Sequence, residues 1–218
     1  MPTAAKKAVP AVSRKSALDL VTKMMAIPGK SCQEKRIVDF ITQQLVEAGV
    51  SPKAIVTEST HRVSPAGGEV GNLIVKLKGT ARGPRRLLMA HVDTVPLCVG
   101  SRPVRREDVI VSKDPDTALG ADDRAGASVV LTAVLEILKQ KLPHPPLTLF
   151  WPVQEEIGLY GARHVQLSKL GDPKLCFNWD GSFPDVVTVG ATGDYAIKIE
   201  EVIRPIMRCL LIAADRIL

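Results

Sequence analysis

The sequence predicts an α/β fold, a three-layer α/β/α sandwich with a mixed, mostly parallel central sheet, and three observations carry the prediction. Near the N-terminus, two segments repeat apolar residues at helical spacing and keep a polar opposite face. The continuous apolar runs Arg86–His91 and Leu147–Trp151 read as strands covered on both faces. Between them lies a long apolar segment, Ala125–Leu142, stopped by Pro143 and the pair Pro145-Pro146. Helix and buried strand therefore alternate along the chain, which is how layered α/β folds are written.

In chain order, residues 1–15 are expected to form a flexible basic tail. Ser16 caps a helix through Ala17–Ala26, stopped by Pro28-Gly29, and Ser31 opens a second helix. In that second helix Ile37, Phe40, Ile41, Leu45 and Val46 recur on one face, and Gly49 ends it. Asn72–Lys78 alternates apolar and polar residues, as a half-buried strand does. After the strand Leu147–Trp151, Leu175–Trp179 and Val186–Val189 read as two more buried strands, and Asp194–Glu200 as an amphipathic one. The basic trio Arg102, Arg105 and Arg106 is placed in a loop.

Composition narrows the function classes. The 218 residues are 45% hydrophobic and 24% charged, enough for a substantial core in one domain. No apolar run is long enough to span a bilayer, and the N-terminus has no apolar core of a secretion signal. The net charge of +6 raises nucleic-acid binding, but the basic residues are scattered and no aromatic residues are interleaved with them for stacking. Solvated charge on loops and a tail accounts for it. Cys32, Cys98, Cys176 and Cys209 form no C-x-x-C pair, so reduced thiols and a cytoplasmic location are expected.

Four short segments place imidazole or carboxylate groups just past expected strand ends, where loops converge in such sheets. In His91-Val-Asp93 the two side chains can point the same way, and a metal-bound imidazole needs a carboxylate on its other nitrogen. In Gly120-Ala-Asp122-Asp123-Arg124-Ala-Gly126, paired carboxylates open the long helix; one can cap it while the other binds a cation. Glu155-Glu156 follows a buried strand, and two adjacent carboxylates repel unless a cation lies near, so one can bind metal while the other holds a water. Asp180-Gly181 ends a further strand. Each segment has an ordinary reading as a cap or a solvated turn. Together they describe an oxygen-rich centre for two metals, suited to zinc, manganese or cobalt.

His91-Val-Asp93-Thr-Val-Pro96, Gly120-Ala-Asp122-Asp123-Arg124-Ala-Gly126, Glu155-Glu156-Ile-Gly158 and Asp180-Gly181, in this order, resemble the signature of the peptidase T branch of co-catalytic zinc peptidases. That family is related to aminoacylases and succinyl-diaminopimelate desuccinylase. The resemblance covers 16–200 and implies the N-terminal part of a catalytic domain, two zinc ions (with cobalt or manganese as substitutes) and a short peptide substrate. By resemblance, His91 binds one zinc and Asp93 orients it, Asp122 bridges the metals, and a cis peptide precedes Asp123. Glu155 is the general base, Glu156 binds the second zinc, and Asp180 completes the first zinc's ligands.

The resemblance also sets an expectation of incompleteness. The family continues into a smaller lid domain and returns with a late histidine on the second zinc, but the other histidines here, His61, His144 and His164, match neither. Residues 201–218 do not resemble the lid and read as an apolar, basic helix after Pro205. A truncated chain is the expectation, with its activity impaired and its apolar tail favouring a homo-oligomer. An inactive metal-binding fragment and an N-acyl amino acid amidohydrolase are the alternative functions.

Overall fold

The computed structural model describes residues 11–181 and 185–189. The chain divides into two units, Met1–Gly181 and Ser182–Leu218. Helix α1 spans Arg14–Ala26, so the helix starts before Ser16: Ser13 is the cap, its Oγ accepting the Ser16 N–H at 3.3 Å. Arg14 and Lys15 are good helix formers and extend the first turn over what was expected to be tail. Helix α2 spans Lys35–Glu47 rather than opening at Ser31, and buries Ile37, Val38, Ile41 and Leu45. Gly49, at φ +93°, follows its end as the periodicity predicts.

Strands β1 (Ile55–Thr57), β2 (Leu73–Leu77) and β3 (Arg86–Met89) precede a two-stranded hairpin, β4 (Pro103–Arg106) with β5 (Val109–Ser112). Then come α3 (Ala121–Lys139), β6 (Leu147–Trp151), the short helices α4 (Tyr160–Arg163) and α5 (Leu167–Leu170), and β7 (Leu175–Asn178). The main sheet has the order β1-β2-β6-β3-β7. β1 with β2 and β2 with β6 are antiparallel, whereas β3 runs parallel to both β6 and β7, so the sheet is mixed as predicted.

Alternate strand residues feed two cores, which makes the third layer explicit. Leu73, Val75, Leu147, Leu149 and Trp151 pack with Met24 of α1, Ile37 and Ile41 of α2, and Val130, Leu131 and Val134 of α3. Ile74, Leu87 and Phe150 point to the opposite face and pack with Leu170 of α5. β2 is more central than its alternation suggests: only Lys76 is exposed, because β1 and β6 flank it and both faces are covered.

Three further expectations change. Arg105 and Arg106 lie on strand β4, not in a loop; Glu107-Asp108 makes the reversal, with Glu107 at φ +54°. β7 is exposed along its whole length rather than buried, being at the sheet edge among the described residues. Val186–Val189 is exposed and forms no strand, since β propensity without a pairing partner does not make one. Asp194–Glu200 and 201–218 lie outside the described residues. Among the described residues no helix is long and apolar enough to cross a membrane.

Candidate metal centre

The register of the parallel strands sets the site. Met89 of β3 pairs with Phe150 of β6 and with Asn178 of β7, so the carboxyl ends of three strands lie level. Two residues beyond this line stand His91 and Asp180, and the chain leaving β6 turns at Gln154 to present Glu155 and Glu156. The fourth contributor is the start of α3. Gly120, at φ +79°, turns the chain in, and the Asp122-Asp123 peptide bond is cis. The two adjacent aspartates then divide their work: Asp123 is buried and accepts the Gly126 N–H at 3.0 Å, while Asp122 faces His91. Gly126 is glycine for want of room, since a Cβ there would lie 2.3 Å from the Trp179 carbonyl and 2.4 Å from the Asp123 carboxylate.

All six predicted site residues come together. His91 Nε2 lies 3.0 Å from Asp122 Oδ1, 3.7 Å from Glu155 Oε2 and 4.0 Å from Asp180 Oδ2. Ligand atoms of His91, Asp122 and Asp180 lie within 4.8 Å of one another, and so do those of His91, Glu155 and Glu156. His91 Nδ1 sits 3.3 Å from Asp93 Oδ1, a charge contact without good hydrogen-bond alignment, since this nitrogen has no aligned partner. Asp93 is fully buried: its Oδ1 accepts the Glu155 N–H at 2.9 Å, and its Oδ2 the Glu156 N–H at 3.2 Å and the Ser31 hydroxyl at 2.6 Å. His61, His144 and His164 join neither cluster.

The electrostatics are those of an anionic pocket. Burial pushes the carboxyl groups of Glu155, Glu156 and Asp180 above their usual range, and neighbouring carboxylates push further. Burial likewise raises Asp123 to about 8. Burial favours neutral His91, but Asp93, Asp123 and Glu155 outweigh it and lift the imidazole to about 9. A pool of carboxylates that resists ionising around one imidazole fits a cation binder: a bound divalent ion supplies the missing positive charge. Beside the cluster a pocket of about 50 Å³ is lined by Met89, His91, Pro152, Glu155, Leu159, Ala162, Asn178 and Asp180.

Sequence reasoning missed three residues here. Ser31, read as a helix cap, spends its hydroxyl on Asp93. Glu34 and Gln154 are buried beneath the Glu155-Glu156 turn, where the Glu34 carboxylate accepts the Gln154 N–H. Ser31-Cys-Gln-Glu34 has the serine-to-glutamate spacing of a capping box, so the pattern pointed to a helix start and hid the longer-range role.

The chain is similar to known peptidases in sequence and fold. Residues 72–198 match the model of peptidase family M28. The chain is 30% identical over 182 residues to the uncharacterized protein YqjE of Bacillus subtilis, covering 83% of this chain and 47% of that one. It is 26% identical over 146 residues to Peptidase T of Escherichia coli, covering 52% of this chain and 35% of that one. Among solved structures it is similar to the aminopeptidase PepT of Bacillus cereus, with a TM-score of 0.72 and 25% identity, over 79% of this chain and 44% of that one. The chain spans less than half the length of each of these relatives.

Proposed function

The chain belongs to peptidase family M28, and from that premise we propose that it hydrolyses peptide bonds in short peptides, as an aminopeptidase of the peptidase T kind. The single observation that carries the reading is the meeting of Asp122, Glu155 and Asp180, from three separate segments, within 4.0 Å of His91 Nε2. His91, Asp122 and Asp180 would hold one divalent cation, and Asp122 with Glu156 a second; zinc suits this imidazole and carboxylate set, with cobalt or manganese able to replace it. Bound there, such cations supply Lewis acidity to a water and to the scissile carbonyl.

The chain's own groups do the rest. Glu155 takes the proton of the attacking water and returns it to the leaving amine, and burial has raised its pKa toward the range where both transfers are easy. Asp93, charged and fully buried, keeps the His91 ring in place and holds the N–H groups of Glu155 and Glu156. Free Cys32, Cys98 and Cys176 support a reducing, cytoplasmic setting. No nucleic acid or membrane enters this reading.

The test is a panel of di- and tripeptides and N-acyl amino acids, incubated with the zinc-loaded chain and assayed for released products. Release of N-terminal residues is expected, and Glu155→Ala should lower turnover by about 10²–10⁴-fold while keeping bound zinc. Unchanged turnover in that variant would overturn the proposal. A second reading, a metal-binding fragment without activity, is favoured by the lack of a second imidazole in either cluster among the described residues. It requires zinc uptake with no product from any substrate, and cleavage of N-acyl amino acids alone would instead mark an amidohydrolase.

A further inference from the structure

Glu34 lies outside the four motifs, on the connection between α1 and α2, and is fully buried. Its Oε1 accepts two backbone N–H groups, Cys32 at 2.8 Å and Gln154 at 3.1 Å. Carboxylates are rarely buried whole, and one that accepts backbone N–H groups from elsewhere in the fold is placed to hold that backbone. The backbone in question needs holding. Gln154 has φ +56°, a left-handed conformation that residues other than glycine seldom adopt without support.

Gln154 is itself buried, and its side chain is anchored at both ends: Oε1 accepts the Ser64 hydroxyl, and Nε2 donates to the Gly67 carbonyl. The next two N–H groups, Glu155 and Glu156, end on Asp93. Three successive N–H groups thus terminate on two buried carboxylates, one beside β3 and the other from the α1–α2 connection. The same connection is stitched to the strand extension at Thr94, which donates its N–H to the Gly29 carbonyl and accepts the Ser31 N–H.

We propose that Glu34 is a positioning residue: by accepting the Gln154 N–H it fixes the turn from which Glu155 and Glu156 project into the metal centre. This rests on the reading of Glu155 as the general base, so the experiment has one arm independent of activity. In the zinc-loaded chain, Glu34→Ala should lower kcat by about 10–100-fold with KM little changed, as removal of a supporting hydrogen bond does. Glu34→Gln keeps a carbonyl oxygen for both N–H groups and places its amide at Oε2, which has no hydrogen-bond partner, so it should stay near the parent. In the metal-free chain, hydrogen exchange at residues 154–156 should be about tenfold faster in Glu34→Ala and unchanged in Glu34→Gln.

Full kcat in Glu34→Ala, or Glu34→Gln as damaging as Glu34→Ala, overturns the proposal, the second because charge rather than hydrogen-bond acceptance would then matter. If even the parent cleaves nothing, the peptidase reading fails and exchange alone decides: unchanged protection in Glu34→Ala overturns the positioning role. Should Glu34→Ala not fold, Glu34→Asp, whose side chain is one methylene too short to keep its oxygen on the Gln154 N–H, must show the same faster exchange at 154–156, and normal protection there overturns it.

Discussion

The metal centre has two unlike halves. His91 and Asp93 are buried, with side chains 2% and 0% exposed, and the Asp93 carboxylate is shared among a hydroxyl, two backbone N–H groups and an imidazole. On the other side, Asp122 is 73% exposed and Asp180 33% exposed, the first reaching the cluster from the start of α3 and the second from the chain beyond β7. The first half is built by the fold and would persist without metal. The second is carboxylate waiting at a mouth, and its cohesion depends on a cation. The difference separates residues that hold the chain together from residues that hold only the ligand.

Removing one residue from each half breaks the comparison most directly. Asp93→Ala leaves two backbone N–H groups and a hydroxyl without their acceptor and the buried imidazole without its facing charge, and should cost about 3–5 kcal/mol of stability in urea denaturation of the metal-free chain. Asp122→Ala should change that stability by no more than about 0.5 kcal/mol, because the side chain is exposed and repulsion from Glu156 and Asp180 offsets its attraction to His91. Zinc content, measured by elemental analysis after dialysis, should fall in both. Equal loss of stability in the two variants would erase the distinction between the halves.

The same division explains what the sequence could tell. His91, Asp122, Glu155, Glu156 and Asp180 were legible because each follows an apolar strand or opens a helix, so local pattern and destination coincide. The layered fold was legible for the same reason: Leu147–Trp151 is found with its predicted bounds, since a short run of apolar residues between prolines has few other uses. The supporting shell was not. Ser31, Glu34 and Gln154 act across 62 and 120 residues of sequence on partners that no local window contains. Ser31 also offered a local alternative, a helix start, that physical chemistry favours whenever tertiary partners are unknown. The hairpin β4–β5 escaped because its positive-φ turn falls on Glu107-Asp108 rather than on a glycine or asparagine.

A gentler probe is pH. The folded metal-free chain holds His91 at about 9 against an ordinary 6.5, Asp123 at about 8 against 3.8, and Glu34 at about 7 against 4.5. Burial drives the two carboxyl groups up, whereas for His91 burial acts downward and the surrounding carboxylates prevail. Each raised pKa means that the folded chain keeps a proton the unfolded chain releases. The stability so gained is complete below the ordinary value and is lost as pH climbs through the folded one. Thermal melting of the metal-free chain should therefore fall steadily between about pH 6 and pH 9, and added zinc should restore more at pH 9 than at pH 6. Asp93, whose pKa is lowered, works in the opposite sense and only in acid. A melting temperature flat across that range would mean the carboxylate pool does not crowd the site as its geometry requires.

The smallest expected effect separates support from ligation within the buried half. Ser31→Ala removes one of the two donors on Asp93 Oδ2 and leaves the Glu156 N–H in place. The carboxylate stays charged and still faces His91, so the loss should be about 1–2 kcal/mol in urea denaturation, the scale of one hydrogen bond to a charged group. Zinc content should stay at the parent level, with the affinity weakened by less than about tenfold in competition with a chelator. A loss as large as that of Asp93→Ala would mean that the α1–α2 connection, rather than the extension of β3 that carries His91, fixes the imidazole. In that case the buried half of the centre would be assembled by a loop, and its independence from metal would have to be given up.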